Sequence, residues 1–245
     1  MEAIIGVEGH KQQAAERALE LVEPGMVLGL GEGSTSLLAL RHLAALLADG
    51  RLKDISGVPS SRRMARQARR LGIPLTSLEA TPCIDLTFDG ADEVDPQLNL
   101  IKGGGGALLR EKIIAQATRR EVIMVDDSKL VPRLGSKWAV PVEVEPFGYG
   151  SQAAWLRSLG AEPALRLRDG QPFLTDGGNY ILDCDFGPLD DAWTLARRLK
   201  ARAGIVEHGL FMGLASDVIV AGNDGIRHLC PTDAGTQAGA LARDV

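Results

Sequence analysis

The chain has 245 residues, of which 45% are hydrophobic and 24% charged, a composition typical of a globular α/β protein with one large or two unequal domains. A net charge of −5 argues against a surface whose main role is to bind nucleic acid. No apolar run approaches the roughly 18 residues of a membrane-spanning helix, and the first residues lack a signal-peptide pattern. We therefore expect a cytoplasmic protein with no nucleic-acid or membrane partner.

Cysteine and histidine usage gives no indication of a metal site. The three cysteines are Cys83, Cys184 and Cys230. They are far apart, odd in number and outside any CxxC pattern, so we expect neither a disulfide framework nor a zinc site. The four histidines are His10, His42, His208 and His228. They are scattered along the chain, which disfavours a histidine-based mechanism.

The first half of the chain alternates between helix and strand patterns. In chain order it predicts a helix over 11–22, a strand over 26–30, a helix over 37–48, a strand over 55–58, an arginine-rich helix after Ser60-Ser61, a strand over 84–88, a helix over 107–117 and a strand over 121–125. This alternation predicts a parallel, Rossmann-like sheet with right-handed crossovers. The arginines of the third helix are Arg62, Arg63, Arg66, Arg69 and Arg70, and their spacing indicates a solvated helix face.

The pattern changes after Trp138. A helix near 151–159 and turns at Asp169-Gly170 and Gly177-Gly178 predict a smaller α+β domain with antiparallel strands. A strand over 216–222 is predicted to return to the first sheet. The predicted division is a Rossmann-like domain over 1–138 completed by 212–230, a small ferredoxin-like α+β domain over 139–211, and a weakly ordered tail over 231–245.

Polar clusters follow the predicted parallel strands, where open α/β sheets bind their ligands. GLGEGST at 29–35 follows a strand and opens a helix, so its backbone N–H groups and the hydroxyls of Ser34 and Thr35 can cradle an anion. It is neither a Walker loop nor a complete GxGxxG pattern. A tight turn capped by serine explains the pattern equally well, and both interpretations stay open.

The segment KGGGGALLREK at 102–112 carries more information. Four glycines before a helix let a ligand approach the backbone, and successive N–H groups can stabilise a developing oxyanion beside Lys102. The alternative is a flexible loop with an exposed lysine. Glu111, judged by its Arg-Glu-Lys context alone, has the pattern of a solvated surface glutamate.

Two more clusters carry charged side chains. DGAD at 89–92 places Asp89 and Asp92 after a strand, where two carboxylates can divide acid and base roles, although Asp-Gly is also a common turn pair. DDSK at 126–129 places Lys129 at a strand end, where it can bind phosphate as a point charge. Lys11 has the pattern of a surface lysine on the first helix.

Together these groups fit the interconversion of an aldose and a ketose. That reaction needs a base for the C2 proton, stabilisation of the enediolate, and a group that moves a proton between O1 and O2. The sequence offers an anion cradle, a glycine nest beside a lysine, and several carboxylates. We expect no cofactor, because the reaction needs no redox group, and no metal, because the sequence shows no metal-ligand cluster.

The ordered set of motifs resembles the ribose-5-phosphate isomerase A family. The motifs are, in order, GLGEGST, SGVPSS, DLTFDGADEVD, KGGGGALLREK, VDDSKLV, PVEVEPFG, TDGGNYILD and VEHGLF. They span nearly the whole chain, and the run from 85 to 112 is very specific. The resemblance implies metal-free interconversion of ribose 5-phosphate and ribulose 5-phosphate in the non-oxidative pentose phosphate pathway, by a homodimer or homotetramer.

The resemblance also implies roles for single residues. Glu111 matches the proton-abstracting base, and Lys102 matches the residue that stabilises the enediolate. Asp89 and Asp92 match the family's carboxylates, with Asp89 the better candidate for ring opening and O1/O2 proton transfer. The substrate-binding residues that it implies are Lys11, Glu32, Gly33, Ser34, Thr35, Asp89, Gly90, Ala91, Asp92, Lys102, Gly103, Gly104, Gly105 and Lys129.

The sequence departs from the family pattern at Glu32, where the loop usually has a small hydroxylated residue. A carboxylate pointing at a phosphate would repel it, strongly if dry and weakly if solvated. We therefore expect the Glu32 side chain to turn outward, so that only its backbone N–H serves the ligand. Gly177 also departs, standing where asparagine is common, but both residue types tolerate left-handed turns.

Two other functions stay open at this point. A non-catalytic sugar-phosphate sensor would need a partner or a DNA-binding segment. In such a sensor, Glu111 would have no function. An enzyme acting on amino-sugar phosphates or CoA esters is less favoured by the DGAD and KGGGG segments. Phe147, Tyr149 and Phe211 are candidates for a subunit interface or for the core.

Overall fold

The computed structural model describes residues 6–231. Its helices are α1 (Val7–Leu19), α2 (Ser34–Ala48), α3 (Arg62–Arg70), α4 (Leu108–Gln116), α5 (Tyr149–Ser158) and α6 (Ala192–Lys200), with a 3-10 turn at Asp127–Lys129. Its strands are β1 (Val27–Leu30), β2 (Ser56–Pro59), β3 (Ile84–Asp89), β4 (Glu93–Val94), β5 (Leu100–Ile101), β6 (Thr118–Asp126), β7 (Val140–Val144), β8 (Glu162–Leu165), β9 (Leu167–Arg168), β10 (Gln171–Pro172), β11 (Tyr180–Asp185), β12 (Ile205–His208), β13 (Leu210–Phe211), β14 (Asp217–Gly222) and β15 (Gly225–Leu229). None of these helices is long and apolar enough to cross a lipid bilayer.

A six-stranded sheet forms the centre of the molecule, in the order β15-β14-β6-β3-β1-β2. Its pairs from β14 to β2 are parallel, and the edge strand β15 pairs antiparallel with β14. The inner strands β1, β3 and β6 are buried along most of their length, as expected for a parallel sheet that helices cover on both faces. The predicted α/β fold with a parallel sheet is confirmed.

The largest hydrophobic core lies between this sheet and helices α1, α2 and α3. Leu28, Leu30 and Phe88 from the strands pack there with Leu40 and Leu43 from α2, and all five are fully buried. Complete burial of such a side chain stabilises the fold by about 1.5–3 kcal/mol. This packing fixes the strands relative to each other, so that the loops after β1, β2, β3 and β6 converge at one edge of the sheet.

A second, antiparallel sheet has the strand order β12-β7-β11-β8. With α5 between β7 and β8 and α6 between β11 and β12, the chain follows the β-α-β-β-α-β path of ferredoxin-like folds. Val142, Leu156, Leu182 and Leu199 form the centre of its own core. The smaller α+β part of the predicted fold class is therefore present.

A short third sheet, β13-β5-β4, lies between the two larger ones. The backbone N–H of Lys102, just after β5, donates to the carbonyl of Gly209 at 2.9 Å. A side chain at Gly209 would come within 2.2 Å of the Lys102 carbonyl, so this close approach requires glycine. The contact fixes the start of the glycine run against the second sheet.

Some details of the second half differ from the sequence-based expectation. Strands β9 and β10 do pair around Asp169-Gly170, but Gly177-Gly178 does not join paired strands. Thr175 and Asn179 instead both donate to Glu143 Oε1 at 2.8 Å, so polar side chains close this loop. The strand at 216–222 does return to the first sheet, as β14. The domain boundaries stay predictions, and residues 232–245 of the predicted tail lie outside the described residues.

The aromatic candidates for an interface divide between surface and core. Phe147 is 89% exposed and Tyr149 38% exposed, whereas Phe211 is fully buried. Of the two interpretations left open for Phe211, the structure therefore supports the core. Its ring lies 5.6 Å from Lys102 Nζ and 4.8 Å from Lys112 Nζ, close enough for both ammonium groups to contact the ring electrostatically.

Gly29 in β1 provides a test of the packing between the sheet and α4. An added Cβ would come 1.9 Å from Thr87 Oγ1 and 2.7 Å from Ile114 Cγ2, and both residues are buried. We expect Gly29→Ala to lower the free energy of unfolding by about 1–3 kcal/mol, because this layer has no space to relax. Urea denaturation measures the change, and wild-type stability in Gly29→Ala would contradict it.

Gly150→Ala is the matched control. Gly150 lies in the first turn of α5, with open space around the Cβ position and no left-handed φ angle. Because alanine loses less conformational freedom on folding than glycine, this variant should be as stable as the wild type or slightly more stable.

Candidate active site

A polar cleft of about 140 Å³ opens where the loops after the parallel strands converge. All of the predicted substrate-binding residues except Asp89 line it, and so does Glu111. The glycine run, the DGAD loop, the β1–α2 loop and Lys129 are thus brought together from positions up to about a hundred residues apart in sequence.

Lys102 lies at the base of this cleft, and its side chain is 2% exposed. Its Nζ is 2.9 Å from Asp89 Oδ2 and 3.0 Å from Glu111 Oε1, and it donates to the carbonyl of Gly90 at 2.5 Å. Three hydrogen-bond donors of the ammonium therefore meet three acceptors. One buried cation joins the end of β3, the glycine run and helix α4.

The charges in this cluster shift each other's protonation. Burial disfavours the charged form of Lys102, but the charges of Asp89 and Glu111 outweigh it and raise the lysine's pKa above its ordinary value. Burial raises the pKa of Glu111 to about 8; Lys102 opposes this shift, and the charge of Asp89 adds to it. Lys102 therefore stays charged near neutral pH, while Glu111 can gain and lose a proton there.

Glu111 is buried, contrary to the surface pattern of its sequence context. It lies in the first turn of α4, where the helix dipole favours a carboxylate. Lys102 donates a hydrogen bond to Oε1, whereas Oε2 has no hydrogen-bond partner among the described residues. A buried oxygen without a partner beside an open cleft is suited to accept a proton from a ligand.

The glycine run before α4 is required by its neighbours. A Cβ at Gly104 would come 2.8 Å from Asp92 Oδ1, and one at Gly106 would come 2.4 Å from the Phe173 ring. Gly103 adopts a φ of 110°, which other residues rarely adopt. These glycines allow the loop to pass between side chains of both sheets with its backbone facing the cleft.

Asp89 and Asp92 occupy different positions. Asp89 is 2% exposed and lies beneath the cleft, where Oδ1 accepts from the backbone N–H groups of Glu32 and Gly90. Asp92 lines the cleft and accepts from the Gly104 N–H at 2.8 Å. Burial raises the pKa of Asp92, with Gly104 and Lys102 opposing the shift. Of these two aspartates, Asp92 lines the cleft and Asp89 does not, and the chemical roles of both stay predictions.

The N-terminus of α2 forms another part of the cleft wall. Gly33 precedes it with a φ of 114°, and no side chain caps the first turn. The backbone N–H groups and hydroxyls of Ser34 and Thr35 therefore face an open region where a helix N-terminus attracts anions. Lys11 from α1 and Lys129 line the same cleft and add positive charge. The cationic groups and the helix N-terminus match the needs of a phosphate.

The prediction that Glu32 turns outward is wrong. Its side chain is 4% exposed and accepts hydrogen bonds from Arg63 and Ser61 in the next loop of the sheet. Its backbone N–H donates to Asp89 and is therefore not free for a ligand. The prediction failed because Arg63, on the otherwise exposed arginine face of α3, supplies a compensating charge that the loop sequence does not reveal.

Two polar residues near the cleft, the partly buried Arg166 and the buried Glu121, were not identified from the sequence. Arg166 pairs with Asp183 and donates to the Gly103 carbonyl at 2.7 Å, which holds the glycine run from behind. Glu121 in β6 is buried, and burial raises its pKa well above the ordinary value, with Asp89 adding to the shift. The sequence signal for Glu121 was an acidic residue next to the apolar run VIMV of its strand.

Lys112, next to the candidate base, anchors α4 to the second sheet. Its Nζ donates to Glu207 Oε1 at 2.8 Å and to the His208 carbonyl at 2.6 Å. Both partners belong to the VEHGLF motif, which gives that motif a structural role. Two successive residues of α4 thus have different surroundings, with Glu111 at the cleft and Lys112 against β12.

One polar cluster lies away from the cleft. Asp217, His228 and Cys230 place potential ligand atoms within 4.8 Å of one another, which their sequence spacing did not indicate. Asp217 already accepts two hydrogen bonds from Arg120, at 2.7 and 2.9 Å, and lies 2.6 Å from His228. An ion-pair network therefore explains the cluster.

Comparisons with known proteins agree on one family. A model of the family described as ribose 5-phosphate isomerase A (phosphoriboisomerase A) matches residues 56–225. The chain is 59% identical over 232 residues to the ribose-5-phosphate isomerase A of Chloroflexus aurantiacus, covering 94% of this chain and 97% of that one. It is 49% identical to a probable chloroplastic ribose-5-phosphate isomerase 3 of Arabidopsis thaliana, covering 88% and 81%.

Solved structures lead to the same family. The ribose 5-phosphate isomerase of Plasmodium falciparum superposes with a TM-score of 0.89 at 39% identity, covering 91% of this chain and 98% of that one. A D-ribose-5-phosphate isomerase in complex with phospho-erythronic acid superposes with a TM-score of 0.90 at 40% identity, covering 92% and 99%. The similarity extends over both sheets, because the coverage is nearly complete.

The titration of Glu111 tests the electrostatics of the cleft directly. We expect the carboxyl to titrate near pH 8, because burial and Asp89 together outweigh the attraction of Lys102. Carbon-13 NMR of labelled glutamate carboxyls measures the pKa, and the resonance lost in Glu111→Gln assigns it. In Lys102→Met the pKa should rise further, since the opposing positive charge is gone. An ordinary pKa in the wild type would contradict this account.

Proposed function

Because the chain belongs to the ribose 5-phosphate isomerase A family, we propose that Glu111 removes the C2 proton when the protein interconverts ribose 5-phosphate and ribulose 5-phosphate. The protein is an isomerase, and this interconversion is a step of the pentose phosphate pathway. The assignment of the base rests chiefly on one observation: Glu111 is a buried carboxylate at the cleft with one oxygen bound to Lys102 and the other without a partner.

The substrate's phosphate is assigned to the end of the cleft formed by the α2 N-terminus. Ser34 and Thr35 offer hydroxyl and backbone donors there, and Lys11 and Lys129 offer positive charge. Binding by a helix N-terminus and separate lysines suits a terminal dianion, because each contributes favourable charge without a bound metal. The phosphate then orients C1 and C2 toward the glycine run.

The chemistry moves one proton from C2 to C1 of the open-chain sugar. Glu111 takes the C2 proton, the C2 electrons form the C1–C2 double bond of the enediolate, and negative charge develops on O1. The Lys102 ammonium and the backbone N–H groups of the glycine run stabilise that charge. Glu111 then returns its proton to C1 as the ketose carbonyl forms, so the base is regenerated.

A second group must move a proton between O1 and O2 during this exchange. We assign this task to Asp92, which lines the cleft, and not to Asp89, which lies beneath it. Burial raises the pKa of Asp92, so the carboxyl can hold a proton more readily than an exposed aspartate. Asp89 acts indirectly, because it holds Lys102 and the backbone of the β1–α2 loop in place.

The ligand of one relative supports the assignment of the two ends of the cleft to the phosphate and to the enediolate. The D-ribose-5-phosphate isomerase that was solved with phospho-erythronic acid is 40% identical to this chain. The carboxylate of that acid places two oxygens and negative charge at the end of a phosphorylated polyol, as the enediolate does at O1 and O2. A cleft that binds it by charge at both ends matches the arrangement of cations here.

Family membership separates the alternatives that the sequence left open. A non-catalytic sensor would not need a carboxylate at the cleft with a pKa raised to about 8. The curated relatives at 59% and 56% identity are ribose-5-phosphate isomerases, which favours pentose phosphates over amino-sugar phosphates and CoA esters. We also propose that the enzyme works in the cytoplasm, where the charge of sugar phosphates retains them.

Replacement of Glu111 by glutamine tests the assignment of the base. Glutamine keeps the shape of the side chain but cannot accept the C2 proton, so we expect kcat to fall at least about 100-fold with KM little changed. The assay follows ribulose 5-phosphate formation in buffer with EDTA. Glu162→Gln, at an exposed position of β8, is the matched control and should keep wild-type rates. An active Glu111→Gln protein would move the base to Asp92.

We propose further that the chain assembles as a homodimer or homotetramer. Phe147 is 89% exposed, and Leu167 and Leu174 are each 57% exposed, which are large apolar surfaces for an isolated chain. Light scattering after size-exclusion chromatography should therefore give a mass of two or four chains. A mass of one chain at micromolar concentration would contradict this proposal.

A further inference from the structure

Glu32 holds a negative charge in the wall of a cleft that is assigned to an anionic substrate. Its side chain is 4% exposed, and it lines the same cleft as Lys11 and Lys129. A buried carboxylate without compensation would repel a phosphate more strongly than an exposed one, because less solvent screens it. The structure therefore needs a group that compensates this charge.

The compensation comes from the loop and helix that follow β2. Arg63 Nε donates to Glu32 Oε1 at 2.6 Å, and Arg63 Nη2 makes a second contact with the same oxygen. Ser61 donates to Oε2, and the Gly33 N–H donates to Oε1 at 3.2 Å. Within residues 6–231, Arg63 is the only cation that pairs with Glu32.

The same contacts connect three loops of the cleft. Ser61 is the N-cap of α3, where it accepts from the Met64 N–H at 2.9 Å while it donates to Glu32. Glu32 itself lies just before the N-terminus of α2, so its carboxylate is near the positive ends of two helices. Glu32 Cγ also lies 3.0 Å from where a Cβ of Gly105 would be. Release of the carboxylate would therefore disturb both the phosphate end and the glycine run.

We propose that Arg63 is a positioning residue for substrate binding, which holds the Glu32 carboxylate against the N-terminus of α3 and away from the substrate's phosphate. The inference rests on the phosphate end proposed above. Arg63 contacts Glu32 and does not line the cleft, so its effect would reach a ligand through the charge and position of Glu32. We therefore expect Arg63 to affect substrate binding and not proton transfer, because the proposed proton-transfer groups Glu111 and Asp92 do not contact it.

The arginine helix supplies a matched comparison. Arg66 lies on the same helix and is also exposed, but it makes no ion pair among the described residues. Arg63 and Arg66 carry the same charge, and both are exposed. A difference between their variants therefore measures the contact with Glu32 and not the general positive field of α3.

The first experiment compares Arg63→Met with Arg66→Met in steady-state kinetics with ribose 5-phosphate. For Arg63→Met we expect KM to rise at least about tenfold while kcat changes less than about threefold, since an uncompensated carboxylate opposes binding. Arg66→Met should keep KM within about twofold of wild type. An unchanged KM in Arg63→Met, or a loss in kcat as large as the rise in KM, would overturn the proposal.

The second experiment places Arg63→Met in a Glu32→Gln background. There the substitution should raise KM by less than about threefold, because no buried charge remains to be compensated. A similar rise in KM in both backgrounds would show that Arg63 acts independently of Glu32 and would refute the positioning role. A purely structural effect of Arg63 would produce that outcome.

Inhibition by phospho-erythronic acid provides a measurement that needs little turnover. Its inhibition constant should follow KM across the four proteins of the cycle. If Arg63→Met does not fold, Arg63→Lys keeps the charge but loses the two-nitrogen contact, and it should raise KM by a smaller but measurable factor. Wild-type KM in Arg63→Lys would then overturn the proposal. These readouts are separate from the Glu111→Gln test, which reports on kcat.

Discussion

The active site depends on one buried ammonium group between two carboxylates. Removing an ion from water costs several kcal/mol, and a buried pair offsets this cost only with good geometry and complete hydrogen bonding. Lys102 meets both conditions, with Asp89 at 2.9 Å, Glu111 at 3.0 Å and the Gly90 carbonyl as the third acceptor. Without it, two carboxylates would be buried close together and one would have to stay protonated. The positions of β3, the glycine run and α4 are therefore coupled through one side chain.

This arrangement also sets the basicity of Glu111, the proposed base. An exposed glutamate is a weak base near neutral pH, whereas a buried one without a neighbouring cation would stay largely protonated. Glu111 lies between these limits, because burial raises its pKa to about 8 while Lys102 opposes the shift. General bases work best when their pKa is near the operating pH. In the proposed mechanism, the same lysine that opposes the rise in the pKa of Glu111 also stabilises the enediolate oxygen.

The sequence was sufficient for the parallel sheet, because buried parallel strands leave a continuous apolar pattern with glycine and serine at their ends. It was not sufficient for individual side chains. Glu111 has a surface pattern, since its burial depends on Lys102 and on the second sheet through Lys112. Only the ordered motifs identified it. Arg166 could not be identified, because its contact with the Gly103 carbonyl joins residues 63 positions apart.

Glu32 shows why a local rule can fail at a functional site. Taken alone, a carboxylate in an anion-binding loop should point to solvent, and that expectation was physically sound for the loop in isolation. In the folded chain, however, α3 brings Ser61 and Arg63 to the carboxylate, and the positive end of that helix favours the same position. A buried carboxylate beside the proposed phosphate site is thus compensated by Arg63, on the helix that follows the neighbouring strand β2. Because β1 and β2 are parallel neighbours, the helices that follow them begin at the same edge of the sheet, so this compensation needs no change in fold.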